Sequence, residues 1–340
     1  MPQHDQRLLD LNAWLEPHLH ALFALRGWGE VPEVSLVAAS SDASFRRYFR
    51  WEAAPRSFIL MDAPPPQENC QPFVEIAAVL AEAGVHVPEI LAADLRQGFL
   101  LLSDLGCQTY LDVIDDENAD ELFTDAISAL ITFQANAKPA SLPSYDEALL
   151  RRELQLFPEW YVQRHLGHRF TADEQQLWDR TCRVLIDSAL AQPTVLVHRD
   201  YMPRNLMLSE PNPGVLDFQD AVIGPVTYDI TSLFKDAFLS WPEERVLGWL
   251  QGYWDAARAR GIPVQESFAE FHRASDLMGL QRHLKVIGIF ARICHRDGKP
   301  RYLGDVPRFF AYLDTVLERR PELADLKRLL QGLPQEPTAS

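Results

Sequence analysis

Eight consecutive residues, His198-Arg199-Asp200-Tyr201-Met202-Pro203-Arg204-Asn205, are enclosed by two short apolar runs, Val195-Leu196-Val197 and Leu206-Met207-Leu208. Runs of this length with polar boundaries read as buried strands, so the octet is a turn that presents its polar groups at a strand end. Twelve residues beyond Asn205 a further acid, Asp217, lies inside Gly214-Val215-Leu216-Asp217-Phe218-Gln219-Asp220. The fold must therefore supply short buried strands to carry this loop, even though much of the rest of the chain has helical periodicity.

The residue types suit one chemistry. Phosphoryl transfer needs little covalent help: it requires an oriented nucleophile and cations that neutralise charge on the transferring group. Asp200 can orient a substrate hydroxyl or accept its proton, and the amide oxygen of Asn205 and the carboxylate of Asp217 are hard oxygen donors suited to Mg²⁺. His198 and Arg199 are read as braces of the loop. Any one of these residues alone would be a well-bonded turn. Their combination at H-R-D-x-x-x-x-N spacing, with a second acid downstream, points to a phosphotransferase.

Bulk properties limit the alternatives. A chain of 340 residues with 47% hydrophobic and 24% charged residues is long enough for two lobes and ordinary for a globular protein. The net charge of −16 argues against a nucleic-acid partner, since phosphate-backbone affinity needs clustered Lys and Arg. No window approaches the roughly 18 apolar residues of a membrane helix, and the N-terminal residues lack a signal-peptide core. A cytoplasmic monomer with no membrane partner is expected. Cys70, Cys107, Cys182 and Cys294 show no paired spacing, so reduced thiols without a zinc site or disulfide framework are expected.

Along the chain, Leu8, Leu11, Leu15, Leu19, Leu22 and Leu25 recur at spacings of three and four, an amphipathic helix that ends near Gly27. Strands are predicted at 34–37, 45–51 and 57–61, a helix at 72–83, and a further strand pair at 88–94 and 98–103. Beyond Asp116 the pattern is mainly helical, with stretches at 117–137, 146–166, 172–190, 243–260, 264–294 and 306–331. The fold class is α+β: a small antiparallel-sheet lobe over residues 1–103 and a larger helical lobe over 104–340 that carries the catalytic loop, hinged at Asp104-Leu105-Gly106.

With these residues placed, the chain resembles the aminoglycoside phosphotransferase and choline kinase group of protein-kinase-like small-molecule kinases, over about residues 36–310. Three segments resemble more narrowly the bacterial cell-wall sugar kinases that phosphorylate the anomeric hydroxyl of N-acetylmuramate and N-acetylglucosamine. They are Ser41-Asp42-Ala43-Ser44-Phe45-Arg46-Arg47-Tyr48-Phe49-Arg50, Met61 through Asn69, and Gln281 through Arg292.

The resemblance implies ATP and Mg²⁺ as cofactors and an amino-sugar acceptor. It implies that the loop bearing Ser41, Ala43 and Ser44 covers the nucleotide phosphates, where small residues let backbone N–H groups approach an anion. It also implies that the connection from Leu100 to Leu105, with Ser103 and Leu105 as its binding residues, meets the adenine edge. One departure stands out: the third strand of such kinases carries a phosphate-binding lysine, whereas Met61 stands near that place and residues 1–103 contain no lysine. Arg46 or Arg47 is the expected substitute, and Glu75 is the expected partner carboxylate on the following helix. Asp229 matches a recurrent acid of the group and is expected to cap a helix.

For the acceptor, residues 281–301 hold six Lys or Arg against one acid, Asp297. This local charge favours an acceptor with a carboxylate or many hydroxyls over a polycation. Helical spacing puts Arg282, Lys285 and Arg292 on one side, and Arg204 lies in the loop itself. A lactyl carboxylate, as in N-acetylmuramate, would suit a bidentate arginine. A sugar 1-kinase, another small-molecule kinase of the same fold and a non-catalytic nucleotide-binding scaffold all stay open at this point.

Overall fold

A computed structural model describes residues 5–41, 45–138 and 142–334. The chain divides into two compact units. The first comprises residues 1–108 with Met207–Asp220, and the second comprises Thr109–Leu206 with residues 221–340. The boundary expected at 103/104 thus falls five residues later, and Met207–Asp220 joins the first unit. Backbone pairing gives the reason: the Leu208 N–H donates to the Gln108 carbonyl at 2.9 Å and the Val215 N–H to that of His86 at 2.8 Å.

The first unit begins with α1 (Gln6–Arg26), capped by Asp5 and closed at Gly27 in the left-handed region, φ 66°. Then come β1 (Leu36–Ser41), β2 (Arg47–Ala53), β3 (Arg56–Asp62), α2 (Gln71–Glu82), β4 (Ile90–Asp94) and β5 (Phe99–Ser103). The strands form one antiparallel sheet in the order β1-β2-β3-β5-β4. Alternation puts Trp51, Phe58, Leu60, Phe99 and Leu101 in one cluster with Leu11, Leu15, Leu19 and Phe23 of α1. In that core Trp51 and Phe58, paired across β2 and β3, stack at 5.4 Å. Gly98, φ 76°, closes the turn into β5, where a Cβ would stand 1.9 Å from the Ala63 carbonyl oxygen.

The second unit is mostly helical. It contains α3 (Tyr110–Val113), α4 (Ala119–Asn136), α5 (Glu147–Leu154), a wide π-type helix (Phe157–His165) and α6 (Ala172–Leu190). Strand β6 (Thr194–Val197) leads into the polar loop, and the chain passes through β7 (Leu206–Met207) and β8 (Gly214–Val215) to β9 (Val222–Pro225), which pairs antiparallel with β6. Helices α7 (Tyr228–Phe234), α8 (Glu243–Ala259), α9 (Phe268–Asp297), α10 (Val306–Arg319) and α11 (Ala324–Gly332) complete it.

Thirty-residue α9 is the spine of this unit: Phe271, Leu277, Leu280, Leu284, Ile287 and Ala291 are buried along it, and a Ser267–Glu270 capping box starts it. The wide helix crosses α9 at Gly288, where an added Cβ would lie 2.4 Å from the Leu156 carbonyl carbon. Two helices predicted as continuous are interrupted where proline removes a backbone donor. The 146–166 stretch breaks ahead of Pro158, and the 306–331 stretch breaks at a 3-10 turn begun by Pro321.

Candidate active site

In the second unit, β6 ends at Val197 and the loop continues through Asp200 to a 3-10 turn at Pro203–Asn205. The Asn205 side-chain amide donates to the Asp200 carbonyl at 2.8 Å, which sets the orientation of that amide. Tyr201, fully buried, donates its hydroxyl to the Ala126 carbonyl at 2.7 Å and so pins the loop to α4.

Beneath the loop lies Asp229, in the first turn of α7 and 0% exposed. Its carboxylate accepts the His198 N–H at 2.7 Å and the Arg199 N–H at 2.9 Å. The expectation that Asp229 caps its own helix is corrected: its two oxygens hold the backbone of the polar loop. Burial pushes its pKa up to about 7, with Asp200 acting in the same direction and the two amide bonds opposing.

A second buried acid holds the same loop by its side chains. Glu153, on α5, accepts from Arg199 Nη2 at 2.5 Å, from Lys285 Nζ at 2.9 Å, from Gln281 Nε2 at 3.1 Å and from the Tyr145 hydroxyl. Lys285 also donates to the Tyr228 hydroxyl at 3.1 Å. Burial alone would raise the Glu153 pKa, but Lys285 and Arg199 bring it down to about 2. Arg199 itself has a φ of 76°, the left-handed region that a residue with a side chain enters at a cost of about 1–2 kcal/mol. Its N–H on Asp229 and its guanidinium on Glu153 compensate that cost. Sequence reasoning missed Glu153 and, although it reads Arg199 as a brace and Lys285 as an acceptor residue, did not bring the two together.

In the first unit, Asp217 also has a left-handed φ, 63°, and accepts from Gln219 Nε2 at 2.8 Å. Arg46 forms an ion pair with Glu68 at 3.1 Å, with both side chains largely buried. Burial works against the Arg46 charge, but Tyr48, Glu68 and Asp217 more than offset it, so its pKa is raised. Arg46 therefore sits in the electrostatic field of Asp217. Arg47 is used otherwise: it pairs with Asp5 and, at 2.5 Å, with the buried Asp62, which Arg7 also meets. Of the two candidate substitutes for the missing lysine, Arg46 is the one coupled to Asp217.

The carboxylate that meets Arg46 is Glu68, in the turn before α2. Glu75 is exposed and accepts from Gln71 of its own helix at 2.8 Å. The reason is directional: Glu75 falls on the outer face of α2, opposite the buried Phe73, Ile76, Ala77 and Leu80. Ser103 ends β5 with its hydroxyl accepting the Glu89 N–H at 2.8 Å, and Leu105 is buried. Arg50 braces the following segment through Asp104 at 2.7 Å and the Gly106 carbonyl at 2.6 Å. Ser41 closes β1, while Ala43 and Ser44 lie outside the described residues.

The expected acceptor residues take different partners. Arg282 is 3% exposed and reaches the Lys235 carbonyl at 3.4 Å. Lys285 belongs to the Glu153 cluster, and Arg292 has its pKa lowered by burial and by Arg296. Arg204 is exposed and lies over the Phe238 ring at 5.3 Å. Arg282, Lys285 and Arg292 thus share α9 but take different surroundings, and Arg204 lies in the loop.

The model of the phosphotransferase enzyme family matches residues 35–271. The chain is 69% identical to an N-acetylmuramate/N-acetylglucosamine kinase of Pseudomonas putida, over 98% of this chain and 98% of the relative. It shares its fold with a choline kinase of Streptococcus pneumoniae, at a TM-score of 0.60 and 12% identity over 88% of this chain and 99% of that one. An ADP-bound aminoglycoside phosphotransferase matches at a TM-score of 0.56 and 13% identity, over 85% of this chain and 95% of that one. No helix among the described residues is long and apolar enough to cross a membrane. The protein-kinase-like architecture, the loop anchored on Asp229 and the match across most of the sequence lead to one conclusion: the chain belongs to the phosphotransferase enzyme family.

Proposed function

We propose that this protein is an ATP-dependent cytoplasmic kinase that transfers a phosphoryl group to the anomeric hydroxyl of N-acetylmuramate and N-acetylglucosamine, in the recycling of peptidoglycan sugars. The observation that carries the reading is the 69% identity, over nearly the whole of both chains, to a relative that bears that kinase name. The polar loop supports the chemistry. Asp200 orients the C1 hydroxyl and takes its proton as the new P–O bond forms and the bond to ADP breaks, so the products are the sugar 1-phosphate and ADP.

Asn205 and Asp217 offer the hard oxygen donors that suit Mg²⁺, which when bound would neutralise charge on the phosphates. Arg46, held by Glu68, takes the place of the strand lysine on the nucleotide. The residues Ser41, Ala43, Ser44, Ser103 and Leu105 are assigned to the nucleotide side, and Arg204, Arg282 and Arg292 to acceptor recognition.

Release of ADP measured against a panel of both sugars, an aminoglycoside and choline tests the assignment, with ³¹P NMR identifying the product. A sugar 1-phosphate is the expected product. Turnover with choline or the aminoglycoside in preference to both sugars would overturn the acceptor, and phosphorylation at another hydroxyl would overturn the position.

A further inference from the structure

We propose that Glu153 is a positioning residue for phosphoryl transfer: it clamps the catalytic loop to α9 by binding Arg199 and Lys285 through the same carboxylate oxygen. This rests on the reading above that Asp200 serves the acceptor hydroxyl.

Oε1 of Glu153 receives Arg199 Nη2 at 2.5 Å and Lys285 Nζ at 2.9 Å, while Oε2 receives Gln281 at 3.1 Å and Tyr145. The donors come from different places in the chain: the segment before α5, the catalytic loop and α9. The side chain is 6% exposed, so water contributes little. A buried carboxylate with two cationic partners is strongly coupled to both, and removing its charge leaves them uncompensated. Arg199 immediately precedes Asp200 in the chain. Lys285, whose ammonium is shared between Glu153 and Tyr228, lies in the electrostatic field of Asp200.

The consequence is geometric. With its peptide N–H on Asp229 and its guanidinium on Glu153, Arg199 is held at both ends in a left-handed conformation. The backbone direction at Asp200 follows from that. The Asp229 contact alone fixes the peptide; the Glu153 contact adds the α9 side, through a lysine that Asp200 influences electrostatically. Misplacement of a catalytic group by about 1 Å costs on the order of 10²-fold in rate.

The test compares wild type, Glu153→Gln, Glu153→Asp, Lys285→Met and the Glu153→Gln/Lys285→Met double variant. Each is assayed for sugar-dependent ADP release, for KM of ATP and for thermal unfolding. Glu153→Gln is expected to lower kcat by about 10²-fold with the KM for ATP unchanged, and Glu153→Asp to recover part of the loss. The double variant should be no slower than the worse single variant, because the two side chains act as one unit.

Wild-type kcat in Glu153→Gln would overturn the proposal. So would losses that simply multiply in the double variant, or a loss carried by the KM for ATP as much as by kcat. If Glu153→Gln does not fold, the Glu153→Asp/Lys285→Met pair is read by the same criteria. A wild-type protein that releases no ADP with either sugar would overturn the functional reading itself, a different result from an active enzyme indifferent to Glu153.

Discussion

The two units hold their functional charges by different means. In the second unit the polar loop rests on two buried acids, Asp229 under its backbone and Glu153 under its side chains, each accepting more than one donor. In the first unit Arg46 is paired with Glu68, which comes from a turn, while the adjacent Arg47 is spent on Asp5 and Asp62. The difference teaches where rigidity is placed. The loop assigned to aim the nucleophile is anchored on buried acids of two helices, whereas the arginine assigned to the nucleotide meets a carboxylate from an adjoining turn.

The largest effect should come from Asp200→Asn, which keeps the shape of the loop and removes the proton acceptor. The kcat should fall by about 10²- to 10⁴-fold, with ATP affinity retained in a binding titration. A folded Asp200→Asn enzyme with full turnover would leave the anchored loop without a purpose.

The two arginines of the first unit provide the next test. Arg46→Ala is expected to lower kcat/KM for ATP by about 10²-fold, by analogy with the loss of one charge-stabilising donor. Arg47→Ala should act mainly on the melting temperature, because Asp62 then has Arg7 as its remaining arginine partner. Equal kinetic losses in the two variants would break the division of labour between them.

Acid titration sharpens the contrast in stability. The Glu153 carboxyl, with an ordinary pKa of 4.5, stands at about 2 in the folded protein, and Asp276, held by Arg319, Arg320 and Lys235, also stands at about 2. A folded-state pKa below the unfolded one gives stability that is complete above the unfolded value and is lost as pH falls through the folded one. Unfolding free energy should therefore drop between about pH 4.5 and 2, with Glu153 contributing on the order of 3 kcal/mol, and Glu153→Gln should flatten that limb. Denaturant midpoints measured across this range would check it, and an unchanged limb in the variant would contradict the clamp. The smallest effect belongs to Glu75→Ala, where stability should change by no more than about 0.5 kcal/mol and turnover by little.

The contiguous part of this design was legible in the chain. His198 through Asn205 has its residue types at fixed spacing between two apolar runs, and the periodicities of α1 and α6 mark their helices plainly. The supporting acids were not legible in the same way. Glu153 meets Arg199 across 46 residues and Gln281 across 128, and nothing local to Glu153 distinguishes it from a surface acid. Glu75 was the more obvious candidate because it stood on a helix, yet the helix turns it outward and a residue of the preceding turn takes its place. Arg46 and Arg47 pose a related problem: Arg46 precedes β2 and Arg47 opens it, and only their partners in the fold decide which is which.

The crossing at Gly288 has a further consequence for catalysis. Because backbone fills the space where a side chain would begin, that glycine fixes how close the wide helix and α9 can come, and Lys285 stands about one helical turn away. An alanine there would force the wide helix and α9 apart within about one turn of the lysine that meets Glu153. A residue with no side chain thereby acts as the depth stop for the helix that carries the lysine bound to Glu153.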